Sequence, residues 1–446
     1  MVILPTAAAL LLLAGAAPEP PATPPSAGAP SPAPASAADE LSLDAALDEL
    51  DRANPTLAQV RARRDEASAV TRQTWSALLP TLVAQGQYYR YRDDFEIVAP
   101  GVNPGDAPRR VAIQPLEAFT GQGTARVPLV KPSDWWAVAA AKDTERASSA
   151  SLEATRRDLR AAFAQAAHAS RAAEELVAAS EAALKSAAEL ERSAGRRVAA
   201  GTSPPLDRLR AQTDSTARES DLAQARANLE RSRLALGVLL GRERPVRVLV
   251  PEVAPPADAG SPDALGRAAV ATRPEMEARR AQVAAAEAQV KSAWARIAPD
   301  LSASASYFAS DVAYPTGEKD GWKVTVDLAW PIYDGGFRYG KRRQAEAQLS
   351  GARAGEEAER LTVVQEVENA SRDVAVAVER LRLAQSQRTL ASDAAASARR
   401  SFEAGVASSL DVIDANDRLF FADVRLADAR AQLGQAAVAL DRAAGR

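Results

Sequence analysis

The chain of 446 residues carries a net charge of −3, no cysteine and one histidine. Thiol-ligated metals, disulfide scaffolds and cysteine nucleophiles are therefore excluded, and a polyanion-binding surface is disfavoured, so nucleic acid is not an expected partner. Aromatic residues make up only 5% and alanine supplies much of the 47% apolar content, which favours close-packed helices over a thick globular core.

Residues 1–17 hold an apolar run ending in small residues, the pattern of an export signal, although no basic residue precedes the run. Residues 18–40 are mostly Pro, Ala and Ser and read as a flexible tether. Without a cysteine there, an N-terminal lipid anchor is not expected. No later stretch reaches the roughly 20 apolar residues of a membrane-spanning helix.

Two similar units follow, residues 41–241 and 263–446, joined by a Pro- and Val-rich connector at 242–262 expected to lie outside the main architecture. Trp75, Pro80 and Tyr88 recur as Trp294, Pro299 and Tyr307, 219 positions later. Gly201, Leu206, Asp207, Leu222, Leu229 and Leu236 recur as Gly405, Leu410, Asp411, Leu426, Leu433 and Leu440, 204 positions later. Self-similarity of this kind marks a tandem duplication.

In the first unit one helix is expected over residues 42–79, capped by Ser42 and ended by Pro80. Strands at 81–92 and 119–130 flank a polar, Pro/Gly-rich loop. A long helix then runs from Ser133 or Asp134 to about Val198, and the turn Ala200-Gly201-Thr202-Ser203-Pro204-Pro205 reverses the chain into the next helix. The second unit repeats this order: a helix at 274–297, strands at 300–311 and 321–333, a long helix at 338–403 and a last helix at 409–443.

The strands alternate strictly except the first, which is weaker, with Tyr88, Tyr89 and Tyr91 clustered near its far end. Trp322, Val324, Val326, Leu328, Trp330 and Ile332 interleave with Lys323, Thr325 and Asp327, and Leu301, Ala303, Ala305 and Tyr307 interleave with Ser302, Ser304 and Ser306. About ten alternating residues with aromatics near the ends suit a membrane barrel strand, but a soluble half-buried sheet alternates in the same way. The helices add a second signal. Leu222, Leu229 and Leu236, like Val367, Val374 and Leu381, lie seven apart, a coiled-coil seam. A helix of about 65 residues is roughly 100 Å long, twice the length of its neighbours, so two short helices stacked end to end would match one long helix. Four strands cannot close a membrane barrel, and an open edge in lipid strands unpaired backbone groups. Several chains are then required: two would give eight strands, and three would give twelve and a lumen.

The chain resembles the TolC family of outer-membrane efflux and secretion factors over nearly its whole length. The most specific match is the turn running from Phe402 and Gly405 to Asp411, Val412, Ile413, Asp414 and Ala415, which is similar to the family's Gly, six-residue gap, Asp-Val-Leu-Asp-Ala signature. The resemblance implies a mostly α fold with a β-barrel portion. Each chain would give four transmembrane strands and long antiparallel coiled-coil helices to a homotrimer with one twelve-strand barrel and a periplasmic helical tunnel. It implies a passive exit duct in outer-membrane lipid, docked to a periplasmic adaptor (membrane fusion) protein and a proton-driven or ATP-driven inner-membrane pump.

By the same resemblance Asp411 and Asp414 line the periplasmic mouth, with Asp207 as the first-unit counterpart of Asp411. A plainer reading also fits: Ser408 and Asp411 as a capping box, and Asp207 as a solvated surface acid. Adaptor docking carries over to Ala200, Gly201, Thr202, Ala404, Gly405 and Val406, although helix-turn geometry alone would ask for the glycines. The sequence departs from the family pattern at Phe402, Ala407 and Arg210, so the closed tip would be held by other contacts or held weakly. No nucleophile elbow, phosphate loop, HExxH or paired-acid cleft is present, and neither catalysis nor a cofactor is expected. His168 reads as a surface histidine, and so few histidines argue against a metal-handling lumen. The competing reading is a soluble periplasmic coiled-coil scaffold with a small strand cap.

Overall fold

The computed structural model describes residues 39–99, 107–254, 261–313 and 318–446. The expected export signal, and all of the tether before Asp39, lie outside the described residues.

The chain opens with β1 (Asp39–Ser42), α1 (Leu43–Ala53) and α2 (Pro55–Ser76). Ser42 caps α1 as expected, its Oγ accepting from the Ala45 N–H at 3.3 Å. The single helix expected over 42–79 is instead broken at Asn54. Proline at the first position of α2 forces the residue before it out of the helical region, and Asn54 is extended. Its Oδ1 accepts from the N–H groups of Thr56 (2.8 Å) and Leu57 (3.1 Å), restarting the helix.

Next come β2 (Thr81–Arg90), β3 (Phe95–Ala99), β4 (Arg109–Gln114) and β5 (Glu117–Val130). The stretch expected as loop therefore carries a second hairpin, β3 paired with β4. Then follow α3 (Pro132–Ala199), α4 (Pro205–Leu239), β6 (Val246–Leu249), α5 (Pro262–Thr272), α6 (Pro274–Ala295), β7 (Asp300–Ser310), β8 (Asp320–Ala329), α7 (Phe337–Glu403) and α8 (Ser409–Ala444). The connector contributes β6, which pairs in parallel with β1. It is not peripheral: Val246 is buried with Leu50, Phe163 and Leu236 in one core cluster.

α3 and α7, with 68 and 67 residues, are each about 100 Å long. α3 packs against α2 and α4 on one side and α6 and α8 on the other; α7 packs against α6 and α8. The short helices do abut end to end. Asn54 Nδ2, at the start of α2, donates to the Leu239 carbonyl at the end of α4 (2.8 Å). In the second unit, Gly445 after α8 lies against Thr272 and Arg273 before α6. There Arg273 is only 2% exposed and pairs with Glu275 at 2.9 Å and Glu366 at 2.7 Å. A guanidinium buried this deeply is tolerated only because both carboxylates meet it.

The heptad leucines behave as a seam: Leu222, Leu229, Leu236, Leu433 and Leu440 are buried and Leu426 is half-buried. Both long helices end at a left-handed glycine, Gly201 (φ 72°) and Gly405 (φ 80°), a conformation that a Cβ disfavours. Three core clusters follow, one at each end-to-end junction and one near the Gly turns, where Leu190, Ala211, Phe402 and Val412 meet.

Candidate functional site

Strands β2, β5, β7 and β8 form one antiparallel sheet in that order. Residues directly opposite in such a sheet share a face. Val324, Val326 and Leu328 on β8 stand opposite Ala305, Ala303 and Leu301 on β7. Ala305 and Ala303 in turn oppose Ala125 and Val127 on β5, and Ala125 opposes Leu82 on β2. One face is thus apolar from edge to edge, and nothing among the described residues covers it: Leu82 is 81%, Val326 66% and Leu328 67% exposed.

The other face is polar. Thr124 and Ser306 share a hydroxyl bond at 3.1 Å, Ser304 and Thr325 one at 2.7 Å, and Arg126 donates to Ser302 at 3.2 Å. Val83, Ala118, Pro128, Phe308 and Ala329 are apolar interruptions on this side. β2 and β8 are the free edges of the sheet.

Where strands meet helices, exposed tryptophans mark one level. Lys142 of α3 sits over Trp75 of α2 (5.0 Å), Lys291 of α6 over Trp136 of α3 (4.8 Å), and Arg342 of α7 over Trp294 of α6 (4.4 Å). Each neighbouring helix pair is bridged by a cation on an indole, and amphipathic aromatics suit a membrane–water boundary.

At the opposite end the two helical hairpins are tied together. Arg197 Nη1 donates to the Phe402 carbonyl at 2.5 Å and stacks on the Phe402 ring at 4.7 Å. Ser409 Oγ donates to Asp207 Oδ1 at 2.8 Å, so Asp207 is not a freely solvated acid. Asp411 completes a capping box with Ser408: Asp411 N–H donates to Ser408 Oγ (3.3 Å), and Ser408 N–H donates to Asp411 Oδ2 (2.8 Å). The Ser408 hydroxyl and N–H hold the Asp411 carboxyl below the usual carboxylate range. Asp414, one turn on, is exposed and ion-pairs with Arg418 at 2.9 Å. All six turn residues, Ala200, Gly201, Thr202, Ala404, Gly405 and Val406, are exposed, Val406 at 85%. Thr202 also closes its own turn, its N–H and Oγ1 both donating to the Arg197 carbonyl.

Sequence reasoning missed a charged cluster between α4 and α8. Arg218 pairs with Asp214 (3.3 Å), Asp221 (3.1 Å) and Asp417, and stacks on Phe420 at 5.3 Å. Burial pushes the Asp417 carboxyl up; Arg218 opposes this, while Asp214, Asp414 and Asp221 add to it. The spacing of Asp214, Arg218 and Asp221 along one helix face was the available signal. The reading of His168 as a surface residue is corrected: it is 6% exposed, between α3 and α8. Burial, aided by Arg171, lowers its pKa. The space it needs comes from Gly434, where a Cβ would lie 2.7 Å from His168 Cγ and closer still to Nδ1.

Among the described residues no group of three or more His, Cys, Asp or Glu is placed to hold a metal, and no helix is long and apolar enough to cross a membrane.

The outer membrane efflux protein family matches residues 46–242 and 265–446. The cobalt-zinc-cadmium resistance protein CzcC of Cupriavidus metallidurans is 30% identical over 316 residues, 69% of this chain and 72% of that protein. The fold is similar to a membrane protein from Pseudomonas aeruginosa, at TM-score 0.77 and 22% identity over 92% of this chain and 91% of that one. It is also similar to the outer membrane protein VceC from Vibrio cholerae, at TM-score 0.74 and 19% identity over 90% and 96% of the two chains. The duplicated helices, the two-faced sheet and these matches agree: the chain belongs to the outer membrane efflux protein family, and is a non-catalytic transport channel of the outer membrane with its helices on the periplasmic side.

Proposed function

We propose that three copies of the chain close one twelve-strand barrel and continue as a helical tunnel, forming the passive exit duct of a pump whose adaptor and inner-membrane transporter dock from below. The observation that carries this reading is the sheet with one uncovered apolar face, one polar face and two free edges. Lipid takes the first face, water the second, and only further copies can satisfy the edges. The six exposed residues of the Gly turns would meet the adaptor. Asp411, Asp414 and Asp207 would ring the mouth, where threefold repetition gathers carboxylates that favour cations. The capping box does not compete with that role, because Asp411 is exposed while it caps. The test is fractionation with gel analysis. An outer-membrane, heat-modifiable oligomer is expected, and a folded monomer in the soluble periplasm would refute the duct.

A second reading concerns cargo. The likeness to a cobalt-zinc-cadmium resistance protein favours divalent transition metals. A single buried histidine does not oppose this, because a duct has to pass its cargo rather than hold it. Deleting the gene should sensitise cells to zinc or cadmium; unchanged tolerance alongside new sensitivity to organic toxicants would refute metal cargo.

A further inference from the structure

The duplication makes β2 the counterpart of β7 and β5 the counterpart of β8, since Tyr88 faces Phe119 as Tyr307 faces Trp322. The halves of one chain are joined by β5 to β7 and by α3 to α6 and α8. That seam has a counterpart that one chain cannot make: β8 to β2, and α7 to α2 and α4, of another copy.

Residues can be transferred from the internal seam to the external one. Gly123 stands opposite Tyr307 and Ala125 opposite Ala305. Their counterparts put Val326 opposite Tyr88, and Leu328 opposite Gly86, of the next copy. All four lie on the apolar face, so the transferred register keeps the faces continuous.

In the helices, Glu175 of α3 pairs with Arg430 of α8 at 3.2 Å. Their counterparts, at the same 204-residue spacing as the Gly turns, are Glu379 and Arg226, with the same charges. His168 rests on Gly434; their counterparts are Arg372 and Glu230, of opposite charge. Within the described residues Glu379, Arg226 and Arg372 make exposed pairs with Arg382 (2.6 Å), Glu181 (2.8 Å) and Glu368 (2.5 Å), and Glu230 pairs with the less exposed Arg233 (3.4 Å). Such pairs are worth little and re-pair readily.

We propose that neighbouring copies join through this transferred seam: β8 to β2 with Val326 against Tyr88, and α7 to α4 with Glu379 against Arg226 and Arg372 against Glu230. The proposal rests on the oligomeric duct described above. Both seams carry the Glu–Arg pair, but the seam between copies puts a second ion pair, Arg372 with Glu230, where the seam within a chain has His168 on Gly434, so salt loosens the former more.

The chain has no cysteine, so engineered pairs are unambiguous. In oxidised outer membranes, Val326→Cys with Tyr88→Cys should give reducible two- and three-chain species. Val326→Cys with Ala84→Cys, displaced by about 13 Å along the strand, should stay unlinked. Independently, Glu379→Arg should lower the temperature at which the oligomer dissociates, and adding Arg226→Glu should restore it. If the oligomer forms but only the displaced pair links, or the charge swap fails to restore it, the seam is wrong and the duct stands. If the wild-type chain forms no oligomer, the duct itself fails.

Discussion

Gly434→Ala sets two effects of known sign against each other. In a helix, alanine is better than glycine by about 0.8–1 kcal/mol. At position 434 the new methyl would lie 2.7 Å from His168 Cγ. The imidazole is buried between α3 and α8 and has to swing aside. Overpacking of this kind typically costs about 1–3 kcal/mol. The net change should therefore be a loss of up to about 2 kcal/mol. The control is Gly195→Ala on α3, where a Cβ meets nothing within 4 Å and only the gain in helix propensity remains. Thermal melts followed by far-UV circular dichroism in detergent would compare the two. Gly195→Ala should melt at or above wild type and Gly434→Ala below it, with His168→Ser restoring the latter. A Gly434→Ala protein that melts above wild type would mean that His168 does not fill the space beside that glycine.

At the mouth, Asp411→Ala with Asp414→Ala should raise single-channel conductance in planar bilayers and abolish block by divalent cations; unchanged block would place the acids away from the ion path. Asn54→Ala should destabilise the helical wall by about 1–3 kcal/mol, because it removes the α2 cap and the partner of the Leu239 carbonyl, and a melt within about 0.5 kcal/mol of wild type would contradict this. The depressed pKa of His168 predicts a pH dependence. The unfolded chain takes up this proton near the ordinary value of about 6.5, the folded chain only lower, so stability falls as pH drops from about 6.5 through the folded value. His168→Gln should flatten that window, and an identical melting profile in both proteins would rule out His168 as its source.

What was legible in the sequence was what local pattern can encode. Period-two alternation announced three of the four sheet strands clearly and β2 more weakly, and Pro80 and Pro299 announced where helices give way to them. Gly201 and Gly405 announced the turns because a left-handed residue has few alternatives. The Asn54–Pro55 break was legible too, as an amide before a proline, but the apolar periodicity running through it concealed two helices as one. What escaped was decided at long range. β6 is a short valine-rich strand that becomes structure only by pairing with β1, and the short β3 and β4 flank a Pro- and Gly-rich run whose composition signals loop. His168 is polar on an Ala-rich helix, and its burial is dictated by a glycine on α8. Arg197 likewise had no local signal, because its partner is the Phe402 backbone in the other unit. Among the site residues, the Ser408–Asp411 capping box could be read directly, whereas the bond from Ser409 to Asp207 could not.

The abutting ends of α4 with α2, and of α8 with α6, fall beside the uninterrupted spans of α3 and α7. A spliced beam flexes first at its splice, and here every splice is backed by an intact strut. In the proposed duct, torsion applied at the Gly turns would then be taken up at mid-height, at contacts such as Asn54 to Leu239. The strand register above would be left undisturbed, so the far end of that duct could change bore while its barrel keeps its shape.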